Sequence, residues 1–376
     1  MFTKSPEVMY VARFMMGAAT GIIAVVTMIY VTEIADKEIR GSLGMIVQVM
    51  NNLGSLTVYG IGPFVSYTAL NSIILSIPIC YLLLCMWIPE SPYYHLKDGR
   101  IEAAKKEFVK LRGAKDEKWV DDQIAVIRAH VRESMENKTT LKELLTNVRY
   151  RKAIYIVIGL KLLQYMTGIL VIQSYLEVIF RQSSSISGPH ASIMYGFVQI
   201  TAGIGATFLT RYIGRRVLMF TSCVGVSLSM TILGTYFYLQ DAMKVGPDTL
   251  ISLSFLPLIG VLGFNVFYAN GLGNLPYIMQ AELFPVNVKA VASSLATMLA
   301  CVLSFLVTKC YQNAKDLFGH YTVFWSFAFV GYLGLLFIYF FVPETRGKTL
   351  EEVLDNVQEK RDEEEALRSE NEKLET

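Results

Sequence analysis

Charge is scarce in this chain. Only 18% of its residues are Asp, Glu, Lys or Arg, while 53% are apolar, and a soluble domain carries about a quarter charged residues. The basic residues are scattered without a dense tract, so nothing points to a nucleic-acid partner. Histidine is rarer still: His95, His130, His190 and His320 are dispersed and form no ligand cluster. Five cysteines (Cys80, Cys85, Cys223, Cys301, Cys310) lie in or beside apolar runs with no CxxC or Cys/His spacing, and read as buried thiols. No Walker pattern, GxGxxG or catalytic constellation is present, so no enzyme activity, cofactor or metal is expected.

What is abundant is length of apolar run. A helix crosses a bilayer with about 20 mostly apolar residues, and nine such stretches occur, near 8–31, 43–66, 69–88, 152–180, 188–210, 216–239, 250–279, 290–311 and 321–342. The first is too long for a signal peptide, carries Arg13 and has no small-residue cleavage pattern. The class is an all-α, multi-span membrane protein whose partner is the lipid bilayer. Between 93 and 150 the chain mixes Lys/Arg with Asp/Glu while keeping some apolar periodicity ("EAAKKEFVKLRG", "VDDQIAVIRAHV"). Short helices outside the membrane are expected there, and in the charged tail after 345.

Basic residues orient the spans. The loops holding Lys37 and Arg40, Lys97 through Lys152, Arg215 and Arg216, Lys289, and Arg346 and Lys348 all fall on one side. That side is expected to be cytoplasmic, with the 93–150 linker and the tail. The triplet Asn137-Lys138-Thr139 then faces away from glycosylation.

A repeat organises the whole. Glu33 closes an apolar run, Arg40 follows seven residues later, and two spans on comes "PESP" with Glu90. Glu282 closes another apolar run, Lys289 follows seven residues later, and two spans on comes "PETRG" with Glu344. Two homologous halves related by an axis along the membrane normal explain this order. Three spans precede the second copy's acid-bearing helix and none precedes the first's, so about three spans are expected to be missing from the start. The boundaries are then 1–92 for a partial first bundle, 93–150 for the linker, 151–345 for a six-helix bundle and 346–376 for the tail.

Polar residues inside spans need a partner or a water-filled cavity. Gln48, Asn52, Ser55 and Tyr59 fall on one face of the second span; the span from 152 brings Gln164, Tyr165, Thr167 and Gln173, and the next Gln199. The span from 250 brings Tyr268, Asn270, Gly273, Asn274 and Tyr277, with Pro276 and glycines loosening the helix, as befits a cavity wall that moves. Amides exchange hydrogen bonds with hydroxyls and rings stack on the C–H faces of a sugar, so the set suits a neutral polyol; plain interhelical hydrogen bonding is the alternative. Arg13, about one and a half turns into the first span, is a functional candidate as an intramembrane charge, or snorkels to the nearby surface.

With "RG" after Glu33, "PESP", "GRR" (Gly214 to Arg216), "AELFP" and "PETRGKTLEEV" in order, the chain resembles the sugar porters of the major facilitator superfamily, in particular the insect facilitated trehalose transporter-like group. The resemblance implies a major facilitator fold, here its helices four to twelve, and facilitative transport of a trehalose- or hexose-class sugar by alternating access across the plasma membrane. It implies that Glu33, Arg40, Glu90, Arg215, Arg216, Glu282, Lys289 and Glu344 form a cytoplasmic charge lattice that locks and releases the two halves. It also implies that Gln48, Gln164, Gln199 and Tyr277 contact sugar. Departures from the family pattern stand at Arg211, Tyr93, Lys289, Tyr165 and Leu170; the last two remove sugar-bonding amides. A porter for another small organic solute is one alternative, and a non-transporting membrane protein with a sensing or partner-binding role is another.

Overall fold

The computed structural model describes residues 5–35, 40–113, 117–136, 144, 146, 148–183, 188–284 and 286–344, and every element among them is helical. The tail from 345, with Arg346 and Lys348, and the acceptor triplet of Asn137 to Thr139 lie outside the described residues, as does Lys37. The chain divides into two compact units, residues 1–138 and 139–376.

The first unit opens with α1 (Pro6–Ile34). Proline at the first helical position has no N–H to leave unpaired, and Glu7 in the first turn complements the helix dipole. After it come α2 (Arg40–Ile61) and α3 (Tyr67–Cys85), whose first turn is capped by Ser66 Oγ accepting from the Ala69 N–H at 3.3 Å. Both α1 and α3 are apolar over most of their length and bury none of their membrane-length window within the protein. That is the condition of helices whose solvent is acyl chain. α4 (Pro92–Lys97), α5 (Ile101–Arg112) and α6 (Glu117–Glu136) are different, because their apolar residues recur at helical spacing and face one another. Leu96, Ala104, Phe108, Val120 and Ile124 form their small core, and Lys105 pairs with Asp121 at 2.7 Å on its rim.

The second unit runs α7 (Val148–Met166), α8 (Ile169–Ser183), α9 (Gly188–Tyr212), α10 (Arg215–Phe237), a π-turn (Tyr238–Ala242), α11 (Pro247–Ser252), α12 (Leu256–Asn270), α13 (Leu275–Leu283), α14 (Val286–Phe318) and α15 (His320–Phe341). The centre is α10, packed along α12 and α15. Small residues on α10 (Ser222, Gly225, Ser227, Ser229) let the backbones close up, the usual device where lipid supplies no hydrophobic drive between helices.

Eight helical segments among the described residues are long and apolar enough to span a membrane. They cover eight of the nine expected stretches. The one left over, expected at 43–66, is the helix α2; Asn51, Asn52 and Ser55 interrupt its apolar run, and it is not among the eight. Two of the expected spans are broken in the middle. The stretch 152–180 is α7 and α8, parted at Thr167 and Gly168; the stretch 250–279 ends as α12 and α13, parted at Gly271 to Asn274.

Candidate functional site

Both breaks leave backbone groups that no water can satisfy inside a membrane, so side chains must do it. At the first break Gly168 adopts φ +87°, a left-handed conformation that L side chains rarely take. A Cβ there would lie 2.5 Å from the Phe327 ring of α15, so glycine is required twice over. Thr167 turns its hydroxyl back to the Gln164 carbonyl at 3.2 Å. At the second break the Ser222 hydroxyl of α10 donates to the Phe267 carbonyl at 2.6 Å and accepts from the Leu272 N–H at 3.1 Å. The Gln164 Nε2 of α7 donates to the Gly273 carbonyl at 3.0 Å. One broken helix thus repairs the other.

Around this junction the polar side chains gather. Lys161 Nζ donates to Gln164 Oε1 at 3.2 Å and lies 3.3 Å from the centroid of the Tyr277 ring. Tyr277 OH and Tyr165 OH are 3.1 Å apart. Tyr268 stacks on Phe264 and lies in electrostatic range of the hydroxyls of Tyr165, Tyr277 and Tyr195. Asn274 begins α13 without capping it through its side chain. Of the residues expected to bind substrate, Gln164, Tyr165, Tyr268, Gly273, Asn274 and Tyr277 therefore occupy one junction in the second unit. Gln164 is buried, with its carbonyl and one N–H engaged by the protein, so it helps to hold the junction together. Gln199 on α9 is half-buried, with an Oε1 that has no partner among the described residues.

Two residues here escape the sequence reading. Lys161 is 1% exposed, and Gln280 is buried with no partner for its Oε1 among the described residues. A scan for ionisable residues within each apolar stretch, which singles out Arg13, would also have stopped at Lys161. In the first unit Asn52 is buried on α2 and Arg13 is exposed on α1; the side chain of Gln48 lies outside the described residues.

The acid-bearing helix ends have separate geometries. In the second unit the Glu344 carboxylate accepts from the N–H groups of Arg215 at 3.0 Å and Arg216 at 3.1 Å, capping α10 where its dipole is positive. Gly214 makes room: a Cβ there would sit 2.3 Å from Glu344 Oε2. Arg215 Nη2 donates to Glu282 Oε1 at 3.1 Å, and the Arg216 guanidinium donates to the Tyr339 carbonyl. Lys289 makes no ion pair with the described residues. In the first unit Glu33 accepts from the Ser91 hydroxyl, Tyr30 OH donates to the Pro89 carbonyl at 2.7 Å, and Glu90 accepts from the Ser91 N–H at 3.1 Å. The Arg40 side chain lies outside the described residues.

Comparison with known proteins shows the family and the fold. The model of the family described as "Sugar (and other) transporter" matches residues 1–356. The facilitated trehalose transporter of Bombyx mori is 33% identical over 346 residues, covering 92% of this chain and 67% of that protein. Its Drosophila virilis namesake is 33% identical over 350 residues, covering 91% of this chain and 37% of that protein. This chain thus spans about two thirds of the silkworm relative and well under half of the fly one. Among solved structures, the inward-open xylose transporter of E. coli superposes with a TM-score of 0.71 at 23% identity, covering 90% of this chain and 70% of that one.

Proposed function

Because the chain belongs to the sugar (and other) transporter family, we propose that it serves facilitative passage of a trehalose- or hexose-class sugar across the plasma membrane, by alternating access. The observation that carries the reading is the paired break: α7/α8 and α12/α13 meet at Gln164 and Gly273, with the Tyr165 and Tyr277 hydroxyls beside them. A broken span is a hinge that costs little to bend, and one lined by hydroxyls and amides presents hydrogen-bonding groups to a polyol. The relatives are transporters and not enzymes, and no catalytic step is assigned. The polar helices α4 to α6 and the tail are placed on the cytoplasmic side by the excess of Lys and Arg in the loops that share it.

Counterflow into proteoliposomes holding this chain tests the reading: saturable uptake of labelled trehalose or glucose is expected. Uptake of other organic solutes only would transfer the site to a different substrate, a reading favoured by Tyr165 and Leu170 where the family carries amides. No saturable uptake of any solute would leave a sensing or partner-binding membrane protein.

A further inference from the structure

Lys161 is the group that the sugar reading does not use. It lies in mid-span, 1% exposed, where an ionisable side chain is expensive and marks a function by default. An ammonium has three N–H donors. One goes to Gln164 Oε1, and the Tyr277 ring covers another direction at 3.3 Å. No carboxylate among the described residues comes within ion-pair distance of it. The acids on the elements packed against α7 are engaged or remote: Glu282 holds Arg215, Asp316 holds Lys315, and Glu177 is more than four helical turns along the broken span. The ring gives part of what a counter-ion would give, through its quadrupole. Tyr277 is itself 47% exposed and is tethered through its hydroxyl to Tyr165. The positive charge therefore sits directly beneath the side chains that would meet substrate.

We propose that Lys161 is the specificity-determining residue of this site, and that its ammonium is the counter-charge for a carboxylate on the substrate. The preferred solute is then a sugar acid, a polyhydroxylated monoanion. One ammonium balances one negative charge, whereas a phosphate would bring a second, uncompensated charge into a low-dielectric site. The hydroxyls of the same solute meet Tyr165, Tyr277 and Asn274. The inference rests on the sugar-carrier reading and narrows its hexose class to the acids.

The test is binding of labelled D-glucuronate and D-glucose, which differ at C6, to the full chain in detergent, followed by scintillation proximity and paired with counterflow. Glucuronate is expected to bind at least about tenfold more tightly than glucose, the effect of one partly desolvated charge pair. Lys161→Gln should remove that preference, read as the ratio of glucuronate to glucose affinity in one preparation, and Lys161→Arg, which keeps the charge, should retain it. If Lys161→Gln does not fold, the wild-type preference and the Arg variant decide. Glucuronate binding no tighter than glucose, or a preference that survives Lys161→Gln, overturns the proposal. Glucose bound and exchanged with glucuronate ignored sinks the inference alone and leaves the sugar reading standing. Neither solute bound sinks both. Glucuronate bound without counterflow supports the inference and removes only the transport reading.

Discussion

The helix ends at Glu33 and Glu282 share their sequence order and differ in what the acid holds. At Glu282 the partner is the Arg215 guanidinium, and the neighbouring Glu344 adds two backbone N–H groups of α10. At Glu33 the partner among the described residues is the hydroxyl of Ser91. Among the described residues, one end is closed by charge against charge and against a helix dipole, and the other by a neutral donor. A carboxylate at a membrane edge is therefore not a fixed quantity of stabilisation. Its worth is set by the group opposite, and a repeat in sequence can carry two strengths of the same helix-end contact.

The difference can be broken at its strongest point first. Gly214→Val should destabilise the second unit most, by about 2–4 kcal/mol, because the branched side chain expels Glu344 from the start of α10. Thermal unfolding in detergent reads this, and an unchanged midpoint would mean that Glu344 does not cap the helix. Glu344→Ala, which leaves the same N–H groups without an acceptor but introduces no clash, should cost about 2 kcal/mol. Glu282→Gln should cost only about 1 kcal/mol, since the pair with Arg215 is partly solvent-screened, and its effect should shrink as salt is raised. Ser91→Ala in the first unit should cost about 0.5 kcal/mol and show no salt dependence, since Glu33 is rehydrated when the hydroxyl goes. Lys289→Ala should change stability by less than about 0.5 kcal/mol. A Ser91→Ala cost equal to that of Glu282→Gln would erase the contrast between the two ends.

The apolar runs and the ordered acids were readable because length and spacing survive any packing. Pro276 and its glycines announced the break before α13, since proline cannot donate into a helix. Gly168 did not announce the break after α7. A lone glycine in "MTGIL" fits a membrane helix as well as a hinge, and only the Phe327 ring and the backbone twist tell them apart. The dense run of amides in α2 was legible as a polar face, but not as a reason for that helix to fall outside the apolar segments. The contacts of Gln164 within the protein were not legible for a similar reason. Residue type announces a hydrogen-bonding group but not whether lysine and a carbonyl 109 residues away have already occupied it.

Lys161 also constrains how the protein is made. At the centre of a nascent helix a lysine opposes partition into the bilayer by about 2.5–3.5 kcal/mol. The carbonyl that anchors its partner Gln164 belongs to Gly273, 109 residues further on. At ribosomal speeds of about 5–20 residues per second, that is a wait of roughly 5–20 s. During that wait Lys161 has Gln164 beside it on the same helix, but neither the Gly273 carbonyl that anchors Gln164 nor the Tyr277 ring. Integration of this span is thus tied to synthesis of the 109-residue stretch that follows it, and slow elongation there prolongs its exposure.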